Sequence, residues 1–184
     1  IGDNDTTFSL LGIRKSGEPH SITFDGRSFN GSGRDGYDLA YIPTGADDPN
    51  VVFSSGQVAQ EVMDFVNSKG CISKYAGQII PRNTCDNPWQ GRIDLRITQE
   101  IALGDNGHKL VGYLDVQNLY NLLSSSHGWA QEVNYNVSRA IVVSGADDNG
   151  KYLISGVDSD DSYFFSTANG QSMWQINFGL AYRF

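Results

Sequence analysis

Charged side chains recur at every second position in the segment GRIDLRITQEIAL, which covers residues 91–103. Successive residues of a β-strand point to opposite faces, so this spacing puts the charges on one face and the branched aliphatic residues on the other. The later segment LVGYLDVQ adds an aspartate and a glutamine to the same polar face. The predicted polar, lumen-facing set is Arg92, Asp94, Arg96, Thr98, Glu100, Asp115 and Gln117.

Two kinds of chemistry fit a face of this composition. Opposite charges on neighbouring antiparallel strands form ion pairs across the ladder, which would hold a wall together. The same groups could instead line the path of a solute through a water-filled channel. The solvent face of a soluble sheet would tolerate them as well.

No catalytic constellation accompanies these residues. The three histidines, His20, His108 and His127, are scattered, and the sequence contains no Gly-x-Ser-x-Gly nucleophile elbow. We therefore predict that the protein is not an enzyme and that it uses no cofactor.

One loop gathers oxygen ligands of the kind that calcium prefers. These residues, in the segment FDGRSFNGSGRDGYD, are Asp25, Asn30, Asp35 and Asp38. The segment lacks the spacing of an EF-hand and its closing glutamate. A solvated loop is therefore the favoured interpretation, and no metal site is predicted.

Aromatic residues are frequent in the loop-like regions. They could contact a captured ligand, although packing of one loop against another is the commoner role for such residues. The set consists of Tyr37, Tyr41, Trp129, Tyr163, Phe164 and Phe165.

The two cysteines, Cys71 and Cys85, lie 14 positions apart in a loop-like region. They form no C-x-x-C pair and have no neighbouring histidine, so zinc is not indicated. A disulfide is favoured over two free thiols, and a disulfide would fit an exported protein.

Composition excludes two classes of protein. The 184 residues carry a formal net charge of −8, which argues against a partner that presents phosphate, as nucleic acid does. No apolar run approaches the ~20 residues of a transmembrane helix. Transmembrane β-strands remain compatible with this composition, because each needs only ~10 residues of alternation.

The sequence starts IGDNDTTF, without an initiator methionine or a signal-peptide pattern, so we expect a mature product or a piece of a longer protein.

Four β-strands must position these side chains. They are predicted at residues 6–17 (continued by PHSITF to residue 24), 91–103, 110–123 and 172–184. A short turn, GDNGHK, joins the second strand to the third, and two long loop-like stretches join the others. The first long stretch carries one predicted helix around residues 58–66, and the second carries a local hairpin formed by NYNVSRAIVVSG and KYLISG. Long, short and long connections in this order are typical of an outer-membrane barrel with extracellular loops and a periplasmic turn.

The last strand alternates most regularly. Ten steps from Trp174 to Phe184 span roughly 33 Å, which at a tilt of ~40° rises about 25 Å, the height of a lipid-facing band. Its apolar positions, predicted to face lipid, are Trp174, Ile176, Phe178, Leu180, Tyr182 and Phe184.

Several segments together resemble one protein family. They are GEPHS, DGYDLAYIP, PRNTCDNPWQGRIDLRITQEIAL, LDVQNLYNLL and INFGLAYRF, and they cover most of the chain from about residue 6. In combination they resemble the last part of TonB-dependent outer-membrane receptors, most closely the Oar-like branch. The QNLYN element is similar to the asparagine-leucine motif in the penultimate strand of many such receptors. The final Phe184, at the end of the alternating set, resembles the signal read by the barrel-insertion machinery.

The resemblance implies a Gram-negative outer-membrane location and a barrel of about 22 strands that encloses a plug. Residues 1–184 would be the C-terminal part of that barrel, an all-β antiparallel transmembrane segment with the last four strands, long extracellular loops and one short helix. The implied partners are membrane lipid, the insertion machinery, an unknown ligand, and the TonB complex through the missing N-terminal part. The alternatives are a soluble secreted β-sandwich that binds a ligand, and a fragment of a passive porin.

Overall fold

The computed structural model describes residues 4–26, 29, 37–104, 106–133, 137–158, 164–165 and 172–184. Most of the regular structure in these residues is β-strand, which agrees with the predicted all-β class. In chain order the elements are β1 (Thr6–Lys15), β2 (Pro19–Gly26), β3 (Tyr41–Ile42), β4 (Val51–Phe53), α1 (Gly56–Ser68), α2 (Gly70–Ser73), β5 (Gln78–Ile79), β6 (Cys85–Asp86), β7 (Gln90–Ala102), β8 (Lys109–Gln117), α3 (Leu119–Leu123), β9 (Gln131–Glu132), β10 (Val137–Ala146), β11 (Tyr152–Val157), β12 (Phe164–Phe165) and β13 (Gln175–Arg183).

The chain divides into two compact units, which we name by their sheets. The long-strand unit contains Ile1–Gly17, Pro88–Gln131 and Phe165–Phe184. The mixed-sheet unit contains Glu18–Asn87 and Glu132–Phe164, and so it is assembled from the two long connections.

Four antiparallel strands form the long-strand unit, in the spatial order β1-β7-β8-β13. All four correspond to predicted strands, and each pairs with its predicted neighbour along the chain. The sheet is open, because β1 and β13 each have one neighbouring strand among the described residues. Its strands run up to 13 residues, long enough for alternation to be visible in the sequence.

Two strand boundaries were predicted wrongly. The segment PHSITF does not continue the first strand, since β1 ends at Lys15 and β2 belongs to the mixed-sheet unit. The third strand stops at Gln117 rather than Leu123. Asn118 adopts a left-handed backbone conformation (φ 52°, ψ 52°) that breaks the strand, and the next five residues form α3.

The prediction that the two long connections are mainly loop was also wrong. They contribute a five-stranded sheet in the order β4-β11-β10-β2-β6. Parallel pairing joins β10 to β2 and β11 to β4, whereas β10 and β11 form the predicted antiparallel hairpin. The described residues contain three helices where one was predicted.

The mixed-sheet unit has its own hydrophobic core. Ile22 of β2, Ile141 of β10 and Ile154 of β11 are at most 1% exposed, and Val62 and Val66 of α1 join the same cluster. Helix α1 corresponds to the predicted helix and contains Val58, Val62 and Val66, which recur at helical spacing. The side chain of Ser55 caps it by accepting a hydrogen bond from the backbone N–H of Val58.

A disulfide joins Cys71 of α2 to Cys85 of β6, with the two Cα atoms 5.4 Å apart. Cys85 is buried in the core cluster and Cys71 packs against it. The covalent link therefore fastens the short helix to the edge strand of the mixed sheet.

Candidate functional site

Ion pairs connect β7, β8 and β13 on the polar face of the long-strand unit. Arg96 Nε lies 3.3 Å from Asp115 Oδ1, and the two residues are directly opposite each other on β7 and β8. Glu100 of β7 binds Lys109 of β8 at 3.0 Å and Arg183 of β13 at 3.1 Å. These side chains are partly exposed, so water screens each pair and the set mainly fixes side-chain positions.

A second polar cluster lies where β8 ends. Arg92 and Asp94, two residues apart on β7, form an ion pair of 3.1 Å. Asp94 Oδ1 also accepts a hydrogen bond from the backbone N–H of Asn118 at 2.8 Å. The buried Asn118 amide donates to the carbonyl oxygen of Gly128, so this part of the predicted face supports the turn into α3.

The remaining predicted lumen-facing residues take positions in the same ladder. Thr98 is opposite Tyr113, and Gln117 is opposite Gln175. The Tyr113 ring lies over Gly179 of β13, where an added Cβ would overlap the ring. The Tyr113 ring also contacts Arg96, whose guanidinium carbon is 5.1 Å from the ring centroid. The seven predicted residues thus occupy one sheet face, and five of them, all except Thr98 and Gln117, form ion pairs there.

The opposite face is apolar and lacks a covering layer among the described residues. The ladder register aligns the alternation on β7, β8 and β13, for example Ile97 with Leu114 and Leu114 with Phe178. Phe8 and Leu10 of β1 lie on the same face, whereas Leu11 and Ile13 lie on the polar face. Large side chains on this face are widely exposed, and the most exposed are Phe8 at 69%, Leu10 at 69%, Leu180 at 75% and Phe178 at 85%. Such a surface, continuous over four strands, marks an interaction site in a native protein.

The six residues of the C-terminal alternating set lie in or beside β13. Ile176, Phe178, Leu180 and Tyr182 occupy alternate positions of the strand, and all six side chains are at least 45% exposed. Trp174 and Phe184 flank the strand. The hydroxyl of Tyr182 is 2.8 Å from Nδ1 of His108 in the β7–β8 turn, and the two rings stack.

The predicted ligand-contacting aromatics have different environments. Tyr37 is 55% exposed, and Trp129 lines a cavity of about 260 Å³ with Lys15 and Arg92 at one end of the four-stranded sheet. Tyr41 is buried, which removes it from the set of ligand contacts. Tyr163 lies outside the described residues, and Phe164 and Phe165 form β12.

Tyr41 instead belongs to a buried network around Asp48, which the sequence did not reveal. Asp48 accepts hydrogen bonds from the Tyr41 hydroxyl, from the backbone N–H and hydroxyl of Thr44, and from the backbone N–H of Asn50. Burial raises the pKa of the Asp48 carboxyl, but these hydrogen bonds outweigh it, so the pKa of Asp48 lies below its ordinary value. Burial of the phenol, reinforced by the Asp48 charge, raises the pKa of Tyr41.

An open cleft of about 370 Å³ lies beside this network, wholly within the mixed-sheet unit. We call it the aromatic cleft. The rings of Phe24, Phe29 and Tyr152 pack mutually at its base, with centroids 5.1–5.6 Å apart. Tyr37, Ile79 and Arg82 complete the main lining, and Asp38 is at its edge. Of these residues, only Tyr37 and Asp38 were singled out in the sequence, because the others come from distant segments without a shared motif.

The predicted oxygen-ligand loop can be followed only in part. Asp25 is the penultimate residue of β2, and Asp38 accepts a hydrogen bond from the backbone N–H of Phe29 at 2.6 Å. Asn30 and Asp35 lie outside the described residues. Within the described part of the chain, no three acidic, histidine or cysteine side chains come together as a metal site.

Among the same residues, no helix has the length and apolar character needed to cross a membrane.

Comparison with known proteins gives no relative. No protein-family model matches the chain, and neither a curated protein nor a solved structure matches it.

Proposed function

We propose that this chain is the C-terminal wall segment of a TonB-dependent outer-membrane receptor. It would supply the last four strands of the barrel and the extracellular structure carried by their two long connections. Uptake of the ligand would be energised through TonB, without chemistry on the ligand.

The observation that carries the proposal is the aligned apolar face of the long-strand unit. Burying an exposed Phe or Leu side chain is worth ~1.5–3 kcal/mol, so four strands of such side chains favour an apolar environment strongly. Lipid supplies that environment along a whole sheet. The opposite face suits a lumen, because its charges are matched within the wall by ion pairs such as Arg96–Asp115.

Strand topology supports the same proposal. Lys15 pairs with Gln90, and Gln117 with Gln175, so both long connections leave the four-stranded sheet from one end. The turn between Ala102 and Lys109 is at the other end. Outer-membrane barrels have their long connections outside the cell and their short turns in the periplasm.

The open edges of the sheet are a further argument. An uncovered edge strand is a site for aggregation unless another strand pairs with it. Among the described residues β1 and β13 each have a single neighbour, as the two ends of a barrel segment would. In the complete receptor β1 would pair with the preceding strand and β13 with the first strand of the barrel.

The alternative of a soluble, ligand-binding secreted protein has one observation in its favour. The mixed-sheet unit has a buried core and a disulfide, as a small exported domain does. That unit leaves the apolar face of the four-stranded sheet unexplained, so we prefer the receptor.

Membrane fractionation of the full-length protein tests the proposal. Expressed with its own upstream sequence in a Gram-negative host, it should be in the outer membrane and should migrate as a heat-modifiable barrel. A soluble, secreted monomer with a cooperative thermal transition would refute the receptor.

Planar-bilayer conductance distinguishes the receptor from the porin alternative, because a plugged receptor should conduct little and a passive porin should conduct continuously.

A further inference from the structure

We propose that the aromatic cleft binds an aromatic carboxylate, with the ligand ring against Phe29, Tyr37 and Tyr152 and its carboxylate on the guanidinium of Arg82. As the ligand specificity of an uptake receptor, this inference rests on the proposed function. The binding step itself depends only on residues of the mixed-sheet unit.

The dimensions and lining of the cleft fit a small molecule. Ligand sites typically have volumes of ~300–1,000 Å³, apolar and aromatic walls, and a few polar groups that orient the ligand. The cleft has about 370 Å³ and aromatic walls, and its described lining residues include one exposed cation, Arg82. Tyr37 and Ile79 are more than half exposed at its mouth, so ligand binding would cover apolar surface that now faces water.

The rings are held in place before any ligand arrives. Tyr152 stacks on Tyr41 with centroids 5.5 Å apart, and the Tyr41 hydroxyl is fixed by Asp48. Phe29 meets both Phe24 and Tyr152 edge to face. A ligand ring would extend this cluster at little cost in conformational entropy, because the walls are already ordered.

Arg82 is positioned by a turn that is anchored at both sides. Asn83 has a left-handed backbone (φ 54°), and its N–H donates to the Ser21 hydroxyl of β2 at 3.0 Å. The Thr84 hydroxyl donates to the carbonyl oxygen of Pro81 at 2.7 Å. The backbone of Arg82 is therefore fixed beside the cleft, while its long side chain can reach a ligand.

Charge selects an anion over a cation. In the described part of the chain Arg82 takes part in no ion pair, so its guanidinium can bind a carboxylate through two parallel hydrogen bonds. Asp38 is the one carboxylate among the described lining residues, and it already accepts the backbone N–H of Phe29 at 2.6 Å. Asp38 keeps its negative charge, so the carboxylate of the ligand would bind on the Arg82 side of the cleft, in a chain whose net charge is −8.

Calorimetry on the complete chain in mild detergent tests this site with 3-phenylpropionate as the probe. The isosteric neutral amide, 3-phenylpropanamide, should bind about tenfold more weakly, because it loses the charge-assisted hydrogen bonds. Arg82→Gln should reduce the affinity for the acid to that of the amide and leave the amide affinity unchanged. Arg139→Gln, at an exposed arginine of β10 in the same unit, is the matched control and should change neither affinity.

Three results would overturn the inference. They are equal affinities for acid and amide, equal losses in the Arg82 and Arg139 variants, and tighter binding of 2-phenylethylammonium, which would assign charge selection to Asp38. Absence of binding by all three probes, with the Cys71–Cys85 disulfide intact by mass spectrometry, would also refute it. The membrane assay tests the receptor separately, since the cleft can bind in a protein that fails to insert, and a protein that inserts can lack this binding.

Discussion

The two sheets of this protein bury their apolar residues in opposite ways. In the mixed-sheet unit Ile22 and Ile141 are fully buried, in a core cluster that also contains Val62 and Val66 of α1. In the long-strand unit Phe178 and Leu180 are 85% and 75% exposed. The first unit has the interior of a water-soluble domain, whereas the second lacks one within the described residues.

This difference shows where each sheet must find its stabilising surroundings. Parallel strands covered on both faces carry continuous apolar runs, such as AIVV in β10. Strands with one polar face alternate, as QINFGLAYR does in β13. A single chain therefore contains one sheet that is covered by its own core and one whose apolar face is uncovered among the described residues.

The largest expected effect comes from the core of the mixed-sheet unit. Ile141→Ala should lower the free energy of unfolding of this unit by about 2–5 kcal/mol, because it removes fully buried methyl groups and leaves a cavity. Hydrogen exchange of the β10 amides measures the loss. Leu180→Ala, in the other sheet, should leave β10 protection unchanged, and equal losses would contradict the independence of the two units.

The two faces of β13 should respond differently to a new charge. Phe178→Arg puts the charge on the apolar face and should cost about 2–4 kcal/mol near a bilayer midplane. Asn177→Arg puts it on the polar face, directly opposite Asp115, where it can form an ion pair. The amount of heat-modifiable barrel from the full-length protein compares the two, and equal losses would remove the argument for lipid contact.

The disulfide should matter to one unit only. Replacing Cys71 and Cys85 by serine opens a covalent loop of ~15 residues, which is worth about 3 kcal/mol at most. We expect faster proteolysis between α1 and β6. Mass spectrometry of the fragments measures the rate of cleavage. The fragments from β7 and β8 should appear at an unchanged rate, and a parallel increase would show that the disulfide also stabilises the long-strand unit.

The smallest expected effect is the pH dependence contributed by Asp48. Its folded pKa is depressed, so its stabilisation is complete above the ordinary carboxyl pKa of 3.8 and is lost as the pH falls through the folded value. Asp48→Asn should cost about 1–3 kcal/mol at neutral pH, since it breaks hydrogen bonds that only a carboxylate can accept together. Urea unfolding at several pH values should show the wild-type advantage shrinking below about pH 4. A constant difference down to pH 2 would exclude this carboxylate as its source.

Alternation made the long-strand unit predictable from sequence. Each of its strands runs for nine residues or more, and the hydrophobic pattern fixes which residues face which side. The polar set from Arg92 to Gln117 follows directly from that pattern. The ion pairs among them also required the register, which a single strand does not contain.

The mixed sheet could not be predicted, because its strands are short and its pairings are distant. The segment SITF in β2 looks like the end of the preceding strand until its partner β10 is known. A connection of ~45–65 residues without structure is uncommon in itself, which was the available sign that these regions fold. The aromatic cleft depends on four such segments, so Arg82 and Tyr152 carried no local signal.

The parallel pairing of β2 with β10 sets an order of events during synthesis. Ser21 pairs with Val137, which is synthesised more than a hundred residues later (137 − 21 = 116). Contacts this distant in sequence form slowly, because the entropy of closing a long loop is lost before the first stabilising contact forms. Strand β2 therefore stays unpaired on its β10 side until the second long connection has been made. Cys71 and Cys85 are only 14 positions apart, so they can form their disulfide earlier. Within the mixed sheet, oxidation of the thiols can thus precede strand pairing, and the final strand order is reached only when the second connection arrives.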